Sequence, residues 1–258
     1  MKEKTTLLIV EPDEHYISHV AKPALKKGLI SDFITVTRDE FAAALDRLDR
    51  TRLVIAKGML ETADFLRPIL KYSDKALISG GKDGFLSHCT VLLKRKLFGW
   101  TRPLILTDAA INIAPAAEQK VRIVQNALNM ARKMLEIAKP IVSILTPAGK
   151  LNPAIQSSVD GDFVAHALPD ENIRLDQMDT ALSADARAAK KLSGGIADIL
   201  LADNLDSGNN IYKLHTMRGG YLAAGIVCGT TVPVILNSRS DESTSKLLSL
   251  KFAIKLLG

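Results

Sequence analysis

Along the chain, short apolar runs rich in Val, Ile and Leu alternate with longer segments in which apolar residues recur at helical spacing. That alternation predicts α/β units around a mainly parallel sheet. Thr6 to Val10 reads as a strand and Asp13 to Lys27 as the helix that follows it. A second strand, Phe33 to Val36, runs into Thr37-Arg38-Asp39-Glu40, which has the spacing of a capping box; Phe41, Ala44, Leu45 and Leu48 then form one apolar helix face. Leu53 to Ala56 is the third strand and Glu61 to Lys71 its helix. Between Ser73 and Gly84 the periodicity stops, and Gly80, Gly81 and Gly84 predict a loop.

Two further strands, Leu86 to Leu93 and Leu104 to Leu106, flank Trp100-Thr101-Arg102. Pro115 suits the first position of a long helix reaching Ile137, with Val121, Val124, Ala127, Leu128, Ala131 and Leu135 on one face. Ile141 to Leu145 is a strand, and from Thr146 to Asp176 the pattern is weak. Order returns with a helix from Ser183 to Leu192, a strand from Ile199 to Ala202, a helix within Tyr212 to Val227 and a strand from Val232 to Leu236. Ser240 or Asp241 suits the cap of a last helix with the stripe Leu247, Leu250, Ile254 and Leu257.

Composition narrows the classes. With 258 residues, 47% of them hydrophobic and 24% charged, the chain can bury a substantial core, and disorder is excluded. The 34 Lys and Arg outnumber 28 Asp and Glu, a formal charge of +6 that suits an anionic partner. The basic residues fall in scattered pairs such as Lys26-Lys27 and Arg132-Lys133, without the stripe and interleaved aromatics of a nucleic-acid surface. A phosphorylated small molecule fits better, and no nucleic acid is expected. Cys89 and Cys228 lack CxxC spacing and read as buried, reduced thiols. The longest apolar stretch, Tyr221 to Leu236, is too short and too interrupted to cross a bilayer, and the run ending at Glu11 is too short for a signal sequence. A cytoplasmic protein with no membrane partner is expected.

Common signatures are missing. Ser79-Gly80-Gly81-Lys82-Asp83 has Asp where a phosphate loop needs Ser or Thr for magnesium; no GxGxxG follows the first strand, and GxSxG and HExxH do not occur. His15 and His19, four apart beside Asp13 and Glu14, have the spacing of a metal pair but no evident third ligand, which favours an exposed helix face. What remains is positional: ligands of open α/β sheets collect at the carboxyl ends of strands. Polar residues cluster there after four strands: Lys57 and Gly58; Thr107, Asp108 and Asn112; Asn204, Asp206, Gly208 and Asn209; Asn237, Ser238, Arg239 and Asp241. Turn chemistry and capping explain any one of these, so their coincidence carries the functional reading. Ser238-Arg239 is the most informative, because a guanidinium fork grips phosphate or carboxylate in two places and a helix start beside it adds N–H donors.

Thr107-Asp108-Ala109-Ala110-Ile111-Asn112-Ile113-Ala114-Pro115, with Glu118-Gln119-Lys120 and Gln125-Asn126-Ala127, resembles the phosphate acetyl/butyryltransferase family, most closely its phosphate butyryltransferase branch. Lys57-Gly58 with Thr62 to Arg67, Leu86-Ser87-His88, Ala197 to Leu200, Ser207-Gly208-Asn209 with Tyr212-Lys213, and Pro233-Val234 running into Ser238 to Asp241 continue the likeness in order. The resemblance implies a two-domain α/β/α fold like isocitrate and isopropylmalate dehydrogenases, with an interdomain cleft. Residues 1–106 with about 238–258 would form one domain and 107–237 the other, on the dimerisation side of a homodimer. The implied reaction joins acyl-CoA and phosphate to give acyl phosphate and CoA, with no metal or redox cofactor. Arg239 would hold phosphate, Ser238 donate to the reacting oxygen and Asp241 act as base. Asn209 and Lys213 would orient phosphate, and Thr107 and Asp108 would shape the cleft. Gly208, Asn112, Lys57, His88 and Arg67 complete the substrate side. The sequence departs from the family pattern at Gly149, at Asp203 and in a shortened stretch where Arg174-Leu175-Asp176 precedes Asp179-Thr180-Ala181. That stretch raises an alternative: a paralogue that binds CoA or acyl phosphate without turnover.

Overall fold

The computed structural model describes residues 4–71, 77–96, 99–182 and 197–258. The chain divides into two compact units, residues 1–86 with 222–258 and residues 87–221. In the first, β1 (Thr6–Val10), β2 (Asp32–Val36), β3 (Leu53–Lys57), β11 (Leu222–Cys228) and β12 (Val234–Ile235) lie in the order β2-β1-β3-β12-β11. All neighbours are parallel except β11 and β12. Every residue of β3 and all but the first of β1 are buried, which is why these runs show no alternation.

In the second unit, β4 (Ser87–Leu93), β7 (Leu104–Thr107), β8 (Ile141–Leu145), β9 (Asn172–Asp176) and β10 (Ile199–Leu201) lie in the order β4-β7-β10-β8-β9. Only the β4 pairing with β7 is antiparallel. Arg95–Lys96 (β5) and Gly99–Trp100 (β6) make a small separate hairpin. The domains implied by the resemblance are 1–106 with about 238–258, and 107–237; the compact units instead divide at 86/87 and 221/222. The strand β4 belongs with β7, and β11 belongs with β12.

The helices of the first unit are α1 (Glu14–Tyr16) continuing through a π-helical turn into α2 (Lys22–Lys26), α3 (Arg38–Arg47), α4 (Thr62–Lys71) and the last helix, α9 (Ser243–Lys255). The capping box opens α3 as expected: Glu40 N–H donates to Thr37 Oγ1, and Thr37 N–H to Glu40 Oε2. Phe41 and Phe65 stack between α3 and α4 with centroids 5.7 Å apart. The second unit holds α5 (Ala117–Leu135), α6 (Gln156–Ala167), α7 (Met178–Leu182) and α8 (Leu205–Lys213). Pro115 precedes α5 by two residues rather than opening it.

Three expectations change. The weakly patterned stretch contains α6 and β9; α6 buries Ser158, Asp160 and Gly161 with Val164 alone apolar among them, so its inner face carries no apolar stripe. Tyr212 to Val227 is not one helix. A π-helical turn, Leu214–Arg218, follows α8, Gly220 turns at φ +66°, and β11 begins. Small and β-branched residues of that buried strand had mimicked an apolar helix. Finally, α9 turns Ser245, Lys246, Ser249, Leu250 and Ala253 inward. Ser245 and Ser249 hydroxyls accept the N–H groups of Ala223 and Gly225 on β11 at 3.1 and 3.2 Å, so hydrogen bonds, each worth about 1 kcal/mol net, set the face instead of the leucine stripe. The helix expected from Ser183 to Leu192 lies outside the described residues.

Candidate active site

In the first unit, Val234 pairs with Ile55 and Ile235 with Ala56, so parallel β3 and β12 end together and deliver Lys57 and the turn from Asn237 to Asp241 to one edge. Lys57 is only 5% exposed. Its Nζ donates to Leu60 O at 2.9 Å and Gly58 O at 3.3 Å. Burial, with the positive charges of Arg239 and Lys246, pushes its pKa down to about 8 against the opposing pull of Glu61 and Asp241.

The turn is held by Asp241, whose Oδ2 accepts Ser238 N–H at 2.9 Å and Asn237 Nδ2 at 3.2 Å, while its own N–H donates to Ser238 O at 3.1 Å. The cap of α9 is therefore Glu242 rather than Ser240 or Asp241. Ser238 and Ser240 hydroxyls lie 3.0 Å apart. The Arg239 guanidinium is half-exposed and ion-paired with Glu61. Ser238, Arg239, Asp241 and Lys57 thus come together. Arg67 does not join them: it pairs with Asp64 at 3.2 Å on α4, and Arg38 takes the same carboxylate at 3.1 Å.

In the second unit the loop after β7 is built around Asp108, 2% exposed. Its Oδ1 accepts Ala110 and Ile111 N–H at 2.9 and 3.0 Å; its Oδ2 accepts His88 N–H at 3.0 Å and Asn112 Nδ2 at 2.6 Å. Thr107 Oγ1 donates to His88 O at 2.8 Å, and His88 Nδ1 lies 3.3 Å from Thr90 Oγ1. The start of α8 docks on this loop: Asn204 caps Ser207 N–H at 2.9 Å, Leu205 N–H reaches Ile113 O, and Asn209 Nδ2 reaches Ala109 O. Gly208 permits the approach, since a Cβ there would stand 2.5 Å from Asp108 O. Thr107, Asp108, Asn112, His88, Gly208 and Asn209 therefore form one cluster. Lys213 lies one turn further along α8, over the Tyr212 ring at 5.3 Å.

Asp203, one of the departures from the family pattern, lies elsewhere in that unit. A cavity of about 380 Å³ is lined by Leu145, Thr146, Met178, Asp203, Ser207 and Ile211 among others. Asp203 and Asp160 both bind the buried Lys120, at 2.5 and 2.7 Å. Sequence reading passed over this triad because Lys120 sits among the apolar positions of α5. It also passed over Lys246, on the inner face of α9, and Glu61, the partner of Arg239. The one available signal was Lys246 sharing helical spacing with Ser249, Leu250 and Ala253. His15 and His19 stack at 4.1 Å with His15 bonded to Ser243, and no group of three or more metal-ligating side chains occurs among the described residues. Cys89 and Cys228 are both buried, and neither is in a disulfide.

Phosphate butyryltransferase of Clostridium acetobutylicum is 30% identical, with 98% of this chain and 84% of that protein covered. The phosphate butyryltransferase of Clostridium beijerinckii is 34% identical over 78% of this chain and 67% of its own. A branched-chain phosphotransacylase from Enterococcus faecalis V583 superposes with a TM-score of 0.80 at 28% identity, covering 98% of this chain and 99% of that one. The fold is the isocitrate dehydrogenase-like α/β fold of the phosphotransacylases. The family described as phosphate acetyl/butaryl transferase matches residues 8–253, from β1 into α9, and takes in both clusters; the chain belongs to that family.

Proposed function

We propose that this chain transfers a short acyl group, butyryl or a branched relative, between coenzyme A and phosphate, producing acyl phosphate and free CoA. The observation that carries this reading is the turn at Ser238-Arg239, fixed by Asp241 beside the buried ammonium of Lys57. A phosphate oxygen attacks the thioester carbonyl carbon, the tetrahedral oxyanion collapses, the C–S bond breaks, and the sulfur leaves as thiolate and takes a proton. In reverse, a base removes the thiol proton and the thiolate attacks acyl phosphate. Arg239 grips phosphate with its fork once it lets go of Glu61, and Ser238 Oγ donates to the oxyanion. Asp241 is the carboxylate beside Ser238 that takes the proton. Within the second unit, Asn209 and Lys213 are further proposed anion ligands, on a frame that Asp108 holds. Every bond change is heterolytic acyl transfer, so the reading includes no metal or redox cofactor.

The named activities of the two clostridial relatives and of the enterococcal protein support a short linear or branched acyl chain. A homodimer formed through the second unit is part of the proposal, supported by large apolar side chains at Ile113, Leu214 and Met217 that are each more than 60% exposed. Light scattering behind a sizing column checks the dimer. Location in the cytoplasm is likewise proposed; no helix of the described residues is long and apolar enough to cross a membrane. The activity is tested by following thiol release from acetyl-, propionyl-, butyryl- and isobutyryl-CoA with and without phosphate. Phosphate-dependent release, fastest with the four-carbon chains, is expected, and no such release from any thioester sinks the reading. Nothing in the geometry favours the non-catalytic alternative.

A further inference from the structure

Lys246 has no place in the roles assigned so far. It is 6% exposed, on the inner face of α9, and its ammonium makes no hydrogen bond or ion pair among the described residues; it lies over the face of the Tyr16 ring, 5.7 Å from the centroid. Tyr16 cannot serve as its counter-ion, because burial raises the phenol pKa and keeps the hydroxyl neutral. That hydroxyl is itself buried without a partner, as is the side-chain oxygen of Asn237.

Lys57 lies within electrostatic reach of Lys246, and its own Nζ is bonded only to carbonyl oxygens. The other charges facing Lys57 are Arg239, Glu61 and Asp241. Glu61 is 71% exposed and paired with Arg239, and Asp241 Oδ2 is held by the donors of its own turn. Two lysines, each no more than 6% exposed as a residue, therefore lie within reach of one another as like charges, with their carboxylate neighbours engaged elsewhere. Buried like charges are unfavourable unless paired, and a dianion with several acceptor oxygens pairs both at once.

We propose that Lys246 and Lys57, with Arg239, form a binding site for a phosphoryl dianion at the carboxyl ends of β3 and β12, with Lys246 a direct ligand of the phosphoryl oxygens. The proposal rests on the acyltransferase reading for the identity of the anion, which is inorganic phosphate or the phosphoryl group of acyl phosphate on the one hand, or a phosphate of coenzyme A on the other. Lys246 is drawn toward the dianion from above the tyrosine ring, and Lys57 supplies whichever N–H the two carbonyls do not hold.

Thermal unfolding and steady-state kinetics of the full chain, wild type against Lys246→Met and Lys246→Arg, test this. In chloride buffer, inorganic phosphate raises the wild-type Tm, and Lys246→Met abolishes the rise while retaining or exceeding the wild-type Tm without phosphate, since a repelled charge has gone. Its KM for phosphate rises about 10- to 100-fold, KM for acyl-CoA moves less than about threefold, and Lys246→Arg restores most of the loss. If CoA but not inorganic phosphate gives the Lys246-dependent rise, and dephospho-CoA fails to, the dianion is the 3′-phosphate of CoA and the site stands with that occupant. An active Lys246→Met protein with unchanged KM for both substrates and an unchanged ligand-induced rise in Tm overturns the proposal. So does a Lys246→Met protein that unfolds at a lower Tm without ligand while Lys246→Gln behaves the same way, since the lysine is then structural. Failure of the acyltransferase reading looks different: wild type releases no thiol, whatever the Tm responses.

Discussion

Two strand ends carry the polar residues of this protein, and they use them in opposite ways. After β7 the Asp108 carboxylate is buried and fully subscribed, accepting four hydrogen bonds from its own loop and from β4. After β3 and β12 the cations are under-bonded: among the described residues Lys57 donates to two carbonyls, Lys246 lies over a ring face, and Arg239 holds an exposed glutamate. A saturated group has no capacity left for a substrate, whereas an unsaturated buried charge retains it. The first edge is therefore framework and the second, the rim, is the one with capacity for the proposed reaction, even though both read as polar residues following a strand.

The largest effect should follow from breaking the framework. Asp108→Ala leaves the N–H groups of His88, Ala110 and Ile111 without their acceptor in a buried loop, and should cost about 3–5 kcal/mol of stability, seen in urea unfolding as a lowered midpoint. Retention of the wild-type midpoint would mean that the carboxylate is not structural. Gly208→Ala comes next. Its Cβ would meet Asp108 O at 2.5 Å and Ala109 Cα at 3.0 Å, backbone atoms that cannot swing aside, and about 1–3 kcal/mol should be lost as α8 is pushed off the loop. Gly161→Ala is the control: its neighbours are Ile144 and Leu175 side chains at 3.1 and 3.2 Å, and the helix gains about 0.5–1 kcal/mol of intrinsic propensity, so the net change should be small.

How much of this was legible beforehand follows from the same physics. The parallel strands and the capping box at Thr37 were readable, because continuous burial and a reciprocal cap each leave a local pattern. So was the bringing together of Ser238, Arg239 and Lys57, since strand order places both carboxyl ends on one edge. The region from Tyr212 to Val227 misled because LAAGIVC is apolar without period and fits a buried helix or a buried strand equally well. The inner face of α9 was unreadable for a different reason: serines were turned inward by bonds to a strand more than 20 residues away in sequence. Lys246 was carried inward with them. Arg67 stood out only through its motif, and its ion pair with Asp64 depends on how α4 lies.

The pH dependence of stability probes the rim. Lys57 titrates near 8 when folded and near 10.5 when not, so between those values the unfolded chain holds more protons and stability rises with pH. Below about pH 8 both states are protonated and the cost of the buried charge is fully present. In phosphate-free buffer, wild type should gain on Lys57→Met by at most roughly 3 kcal/mol between pH 8 and 10.5, measured by urea unfolding at each pH. A constant difference across that window would place Lys57 outside the rim.

The smallest stability change should accompany one of the largest functional ones. The Arg239 side chain is 46% exposed and its pair with Glu61 is a surface pair, so Arg239→Ala should alter stability by less than about 0.5 kcal/mol. If Arg239 holds phosphate as proposed, Glu61 competes for the same guanidinium, and removing one partner or the other moves phosphate use in opposite directions. Arg239→Ala should raise KM for phosphate about 10- to 100-fold, the value of a lost charge-assisted pair, while Glu61→Gln should lower it severalfold because the fork no longer has to leave a carboxylate. If Arg239→Ala leaves phosphate dependence unchanged, the arginine belongs with Arg67 among the surface ion pairs. Opposite shifts from two residues in one contact, at nearly constant stability, are what distinguish a rim that holds charge in reserve from the framework around Asp108, where every substitution should register first as unfolding.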